Sequence, residues 1–421
     1  MNRARLHLQR TSSAGLSLIE LMVAMALGLL VSLGIVTLFG STSQTNRVQN
    51  GLARLQENGR YVMSRMASDL LGASGQYCSN SGGGATQTAN GNQMPLRAPV
   101  LHVAGFQFPD SSWPPFAPGL LSPRYFMQGY DCSGGTCLPA DPKLPSGIPE
   151  AGQSAGDRVE GSDVLTVRYQ RGEGWLVTAC DLATGAVTVA GTPTIANGDA
   201  VLVSDCNTAN IFAASVAGST ITPPSTEPPM GCPAAASLRD SRIREGEPRL
   251  FNFSKDFTTV TYYLRLRADG NPDRAERLVP VLIRREPDST GKVQDNEIAE
   301  GVERLDFLYG VEDGQGRIAF LTADEVTAKT DCSRAPEGFA TPDGGSMEPG
   351  CAWRSVKSIE IHALLNTVND IDIADVDTAY RYSVDGDEIK PPPATLPDGL
   401  PAGRMMRREF VRLITVRNFS N

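Results

Sequence analysis

One stretch constrains this chain more than any other. In "SSAGLSLIELMVAMALGLLVSLGIVTLF", Glu20 is the only charged side chain between Leu16 and Phe39. At a rise of about 1.5 Å per residue, a helix over this run reaches roughly 36 Å, enough to cross a hydrocarbon core of about 30 Å. A carboxylate in hydrocarbon is costly unless it is paired, protonated or near the interface, so Glu20 reads as a functional residue.

The residues ahead of the run set its direction. "MNRARLHLQRTSSAG" is basic, carrying Arg3, Arg5 and Arg10 and no acid. An ordinary secretory signal places its apolar region before the cleavage site. Here the apolar region begins directly after Gly15, so a cut at that glycine leaves the hydrophobic helix on the mature chain. The arginines hold the leader in the cytoplasm and send the C-terminal bulk outward. Beyond Phe39 the helix is expected to continue to about Leu71 with a new character. Val48, Leu52, Leu55, Val62, Met66 and Leu70 recur at helical spacing on one face. Arg47, Gln49, Arg54, Glu57, Arg60 and Asp69 fall largely elsewhere. The stripe is expected to pack on the chain's own body, and the glycines of "LLGASGQYC" to stop the helix.

Composition bounds the body. With 42 glycines, 29 prolines and 6% aromatics, strands joined by many turns are favoured over a helical bundle. A net charge of −9 is poorly suited to nonspecific binding of nucleic acid, although Arg404, Arg407 and Arg408 form a local basic cluster. Eight cysteines, Cys78, Cys132, Cys137, Cys180, Cys206, Cys232, Cys332 and Cys351, all follow the apolar run. An even number on one side points to disulfides in an oxidising compartment such as the periplasm. Zinc is the rival reading, but no C-x-x-C pair accompanies them, and only His102 and His362 lie beyond the leader. Sequence leaves the connectivity open. Proximity suggests Cys132–Cys137, Cys180–Cys206 and Cys332–Cys351, with Cys78–Cys232 as a longer closure.

Residues 79–156 read as loops, punctuated by "SNSGGGATQTANGN", "FPDSSWPPFAPG" and "LPADPKLPSGIPE". Strand patterns follow in "DVLTVRYQ", "GAVTVAG", "DAVLVSDC", "FTTVTYYLRLR", "RLVPVLIRRE", "VKSIEIHALLN" and "RREFVRLITVRN". "GVERLDFLYGVEDGQGRIAFL" adds a hairpin turning at Asp313-Gly314.

Catalytic chemistry finds little footing. There is no G-x-S-x-G, Walker loop, H-E-x-x-H or dinucleotide fingerprint, and His102 and His362 sit in apolar runs typical of sheet histidines. No cofactor is expected. Asp370, Asp372, Asp375 and Asp377 could supply oxygen ligands to calcium, but their spacing fits no EF-hand loop and equally describes a solvated edge.

The order of basic leader, Gly15 and "LSLIELMVAMALGLL" resembles the class III signal of type IV prepilins. Leu16 stands where phenylalanine or methionine is more usual. "LQENGRYVMSRMASDL", "GDAVLVSDCNTANIF", "GVERLDFLYGV" and "RREFVRLITVRN" resemble the PilW-type minor pilins of type IV pili. The resemblance implies an α+β, pilin-like fold: a long N-terminal membrane-spanning helix packed on an antiparallel β-sheet domain with long loops. It implies a leader over residues 1–15, a transmembrane assembly helix over 16–39, an amphipathic continuation over 40–71 and a β-rich domain over 72–421. A prepilin peptidase would cut after Gly15 and methylate Leu16. Glu20 would then pair with the new N-terminal amine of a neighbouring subunit.

Further implications concern place and partners: the inner membrane with the domain in the periplasm, then the pilus tip and a part in twitching motility. Other minor pilins, the major pilin, the inner-membrane assembly machinery and a large tip adhesin are the implied partners. The chain would prime assembly without being an enzyme. A minor pseudopilin of type II secretion and a pilus-tip adhesin are the alternatives.

Overall fold

The computed structural model describes residues 17–73, 75–76, 79–80, 100–101, 119–120, 126–181, 183–204, 209–224, 248–271, 277–288, 291–312, 317–329, 350, 352–353, 356–371, 380–385, 389–390, 400 and 404–416. Helix α1 runs unbroken over Leu18–Gly72. Its 55 residues make a rod of about 82 Å at the helical rise. The rod has two halves. Residues 18–47 are exposed throughout, including Leu18, Leu29 and Phe39 at 77%, 70% and 74% exposure. From Leu55 onward one face is buried, where Leu55, Val62, Met66 and Leu70 enter the core beside Met63 and Ala67. The expected stripe therefore does pack on the chain's own body, with Leu52 partly buried at its margin.

Two antiparallel sheets receive this stem. The first contains β1 (Met127–Ser133), β2 (Thr136–Leu138), β3 (Val164–Gln170), β4 (Phe257–Ala268), β5 (Leu278–Pro287) and β6 (Val293–Glu300), in the order β6-β5-β4-β3-β1-β2. The second contains β7 (Val302–Glu312), β8 (Ile318–Leu321), β9 (Val356–Asn366) and β10 (Arg407–Thr415), in the order β8-β7-β9-β10. Alternation decides which side chains meet the helix. Leu165 and Val167 of β3, Val260, Tyr262 and Leu264 of β4, and Phe307, Tyr309, Ile359 and Ile361 of the second sheet share one core with α1. Central β4 is buried on its other face too, where Tyr263 packs with Val281 and Ile283 under Leu144 and Ile148.

Between β3 and β4 the chain builds most of a nine-stranded sheet with a separate core around Val177, Val203, Phe212 and Leu250. Its neighbours are antiparallel except the parallel pairing of 209–213 with 100–101.

Several expected strands lie where the patterns put them, among them Val356–Asn366 and the pairing of β7 with β8. The turn residues Asp313 and Gly314 lie outside the described residues. Residues 79–156 depart from the expected loop. They contain short strands at 79–80, 100–101 and 119–120, and the hairpin β1–β2, whose turn passes through Gly134 at a φ of 57°. Cys132 and Cys137 face each other across that hairpin and are bonded, with an S–S distance of 2.02 Å. β6 also went unforeseen. Its sequence "VQDNEIAE" is polar because Asp295, Glu297 and Glu300 pair with Arg285 on the neighbouring β5 and with Arg265 and Arg267 on β4 beyond it.

Close approach of helix and sheet relies on Gly59. A Cβ there would lie 2.3 Å from the Phe410 ring of β10. Gly59→Ala is expected to destabilise the fold by about 1–3 kcal/mol through overpacking, read as a lower Tm of the full-length chain in detergent micelles. Pairing it with Phe410→Leu should recover much of that loss, because the ring is what the new methyl meets.

Candidate assembly site

The exposed half of α1 begins with a cap. Ser17 precedes the first helical residue, its Oγ accepts from the Ile19 N–H at 3.3 Å, and Glu20 Oε2 accepts from the Ser17 N–H at 3.0 Å. Ser17 and Glu20 thus form a capping box, which satisfies helix-end donors and places negative charge at the positive end of the helix dipole. The S-x-x-E spacing of Ser17 and Glu20 is the sequence signal for this cap. Only one carboxylate oxygen of Glu20 is engaged in this way. Gly15 and Leu16 lie outside the described residues. An 18-residue window of α1 reaches a mean hydropathy of 2.5, with none of it covered by the body. By length and composition α1 can cross a bilayer.

At its other end the helix is held by a residue expected on its polar face. Asp69 is only 2% exposed. It accepts from the Tyr169 hydroxyl at 2.8 Å, from the Tyr262 hydroxyl, and from Arg284 Nε at 2.7 Å. Arg284 also pairs with Glu286, Glu286 with Arg171, and the Arg171 guanidinium donates back to Tyr169 at 3.4 Å. This closed ring ties α1 to β3, β4 and β5. Burial alone raises the Asp69 carboxyl, but hydrogen bonds from Arg284 and Tyr262 and the Arg284 charge outweigh it and hold the group below its ordinary value.

Two more buried acids act as joints. Asp163 accepts from the Cys132 N–H at 2.9 Å and the Phe307 N–H at 3.0 Å, bridging β1 in the first sheet and β7 in the second. Burial, followed by the charge of Asp306, pushes its carboxyl well above the usual range. The stability it lends therefore declines as pH rises from about 4 through the folded value. Glu303 sits where the β7–β9 register slips between Val302 and Arg304. Its carboxylate receives Arg407 Nε at 2.8 Å, Arg407 Nη2 at 3.1 Å and Asn366 Nδ2 at 2.6 Å. Arg407 is thereby withdrawn from the basic cluster expected with Arg404 and Arg408.

His362 lies in β9 and is 3% exposed. Its Nδ1 lies 3.0 Å from both Glu409 Oε1 and Ser383 Oγ. Its Nε2 lies 3.3 Å from Glu360 Oε1 but makes no hydrogen bond. The cluster fastens residues 380–385 to β10 through two contacts from the Ser383 N–H to Glu409. His102 lies outside the described residues. So do Asp372, Asp375 and Asp377, while Asp370 is exposed. No group of acids, histidines or cysteines suited to a metal occurs among the described residues. Cys180 is disulfide-bonded, and Cys78, Cys206, Cys232, Cys332 and Cys351 lie outside the described residues.

Residues 10–36 match the prokaryotic N-terminal methylation motif, and residues 261–418 match the family of the type IV pilus-assembly protein W. Both matches are those expected of a PilW-type, prepilin-like protein. Together they support a minor pilin of the type IV pilus. No curated protein and no solved structure matches it. The PilW match begins inside β4 and ends just past β10, so it holds Tyr262, Arg284, Glu303 and Arg407 but not Asp69. Of the stretches singled out in the sequence, "GVERLDFLYGV" and "RREFVRLITVRN" fall within it.

Asp69→Asn should cost about 3 kcal/mol, because Arg284 is left buried with less than its full complement of negative charge. The folded carboxyl lies below its unfolded value, so its contribution is complete above about pH 4 and fades as pH falls through the folded value. The Tm gap between wild type and Asp69→Asn should accordingly narrow in acid.

Proposed function

We propose that this chain is a minor pilin that primes type IV pilus assembly and sits with other minor pilins at the pilus tip. One observation carries the reading: a long apolar rod, uncovered by its own body, bears a single acid at its head. Such a surface is stable only in lipid or against other helices. In this reading a prepilin peptidase removes residues 1–15 and methylates Leu16, leaving the chain in the inner membrane with its body in the periplasm. The unengaged oxygen of Glu20 receives the terminal amine of an adjacent subunit, and attraction in a low-dielectric bundle offsets the burial cost. The apolar flanks supply packing, and the ion pair supplies axial register. Further partners are the major pilin, the inner-membrane assembly machinery and a large tip adhesin.

Two substitutions separate the capping role of Glu20 from its assembly role. Glu20→Gln keeps an acceptor for the Ser17 N–H, since glutamine serves in capping boxes, but removes the charge. It should cut recovery of the chain in sheared pili by about tenfold, equivalent to about 1.4 kcal/mol. Ser17→Ala loses the hydroxyl cap and keeps the acid, and should leave recovery near wild type. Equal losses in both variants would refute the register role. Mass spectrometry of pilus-borne protein should find a methylated N-terminus at Leu16. A deletion strain should lose twitching while type II secretion continues.

A further inference from the structure

The last strand, β10, is an edge. Among the described residues it pairs only with β9. Its hydrogen-bonding phase follows from two contacts: the Val416 N–H donates to Lys357 O at 2.9 Å, and the Thr367 N–H donates to Met406 O at 3.1 Å. In an antiparallel pair, residues alternate between turning both backbone groups toward the partner and turning both away. Even-numbered positions of β10 therefore face β9, and the N–H and C=O of Val411 and Leu413 face the open side. Both residues are also exposed, at 48% and 56%.

Beside this edge lies a groove of about 870 Å³ whose walls are α1 and β10. Tyr61, Met63, Phe410 and Val411 supply apolar lining, and its charged lining is Arg60 and Arg412 against the single acid Glu57. Arg408 lies over the Phe410 ring, 5.7 Å from its centroid. Across the first sheet Arg171, Arg265, Arg267, Arg284 and Arg285 all pair with carboxylates. Arg60, Arg408 and Arg412 make no ion pair with any described residue, although the chain carries a net charge of −9. Arg412 spends one N–H on the Met63 carbonyl at 3.2 Å, which ties it to α1.

We propose that the groove between α1 and β10 takes an extended, acidic segment of a different protein, which joins the sheet as an added strand and sets its carboxylates against Arg60, Arg408 and Arg412. Strand addition supplies main-chain hydrogen bonds for affinity, and alternate side chains supply selectivity. A second copy of this chain is the disfavoured occupant, because pairing β10 with itself brings Arg408 and Arg412 near their counterparts. The proposal does not depend on how the chain enters a pilus.

The test uses the full-length protein in detergent micelles and two fluorescent probes: a short peptide alternating valine with glutamate, and its valine–lysine counterpart. The glutamate peptide should bind about tenfold tighter or more, with the preference weakening as salt is added. Val411→Pro removes an edge-facing N–H without touching the β9 ladder, a substitution edge strands tolerate. It should weaken binding by about tenfold or more at an unchanged Tm. Should that variant melt early, the exposed double substitution Arg60→Glu with Arg412→Glu decides the matter, because it should invert the preference between the probes. Equal binding of the two probes, no binding of either, or wild-type binding by a well-folded Val411→Pro would overturn the proposal. So would sedimentation showing dimers of this chain that Val411→Pro abolishes, since the occupant would then be a second copy.

Discussion

A carboxylate buried at the foot of the long helix decides how the rest of the molecule is arranged. Asp69 has four donors from three strands within reach, and Arg284 approaches it through two nitrogens. A hydrophobic stripe tolerates small rotations of a helix, but a hydrogen-bonded ion pair in a dry setting does not. Turning α1 by one residue would swing Asp69 through about 100° and strand both charges without partners. The apolar stem supplies the driving force for docking, and the ion pair selects one register.

The same device recurs deeper in the body. Asp163 spans the two sheets by accepting backbone N–H groups from each, and Glu303 binds the last strand through Arg407 while Asn366 steadies it. Buried acids are poor sources of net stability, yet they specify geometry because misplacement leaves them unsatisfied. A chain with few aromatics and many turns gains from such specification. Small residues complete the arrangement: Gly59 admits the Phe410 ring, and Gly72 lies against Tyr169. Conserving the helix–sheet contact thus needs charge, ring and missing side chain together.

Much of this was legible from the residues. The apolar run, the stripe from Leu55 to Leu70, and strands rich in β-branched residues such as Val356–Asn366 follow from periodicity. The Cys132–Cys137 bridge follows from proximity in the chain. Legibility failed where the deciding partner lies far along the sequence. Asp69 resembled any polar residue on a solvated face, since its arginine is 215 positions away. β6 hid because its acids answer arginines on β5 and β4, and hairpin β1–β2 because glycine and proline surround a short strand. Ser17 and Glu20 carried a legible cap signal that a hydropathy argument alone passes over.

The placement of the Asp69 cluster has a mechanical consequence. From Leu18 to Arg47, about 45 Å of helix stands clear of the body. A tug along that free length reaches the sheets only through the docked stem, where it loads the carboxylate–guanidinium contacts sideways rather than peeling them one at a time. Anchors strained in shear share the load and yield together, so the joint behaves as a stiff coupling up to a sharp limit. A tilting force is different: it pries first at Gly51 and Leu52, where the stem leaves the body, and bends the molecule there while the clasp at its base stays shut.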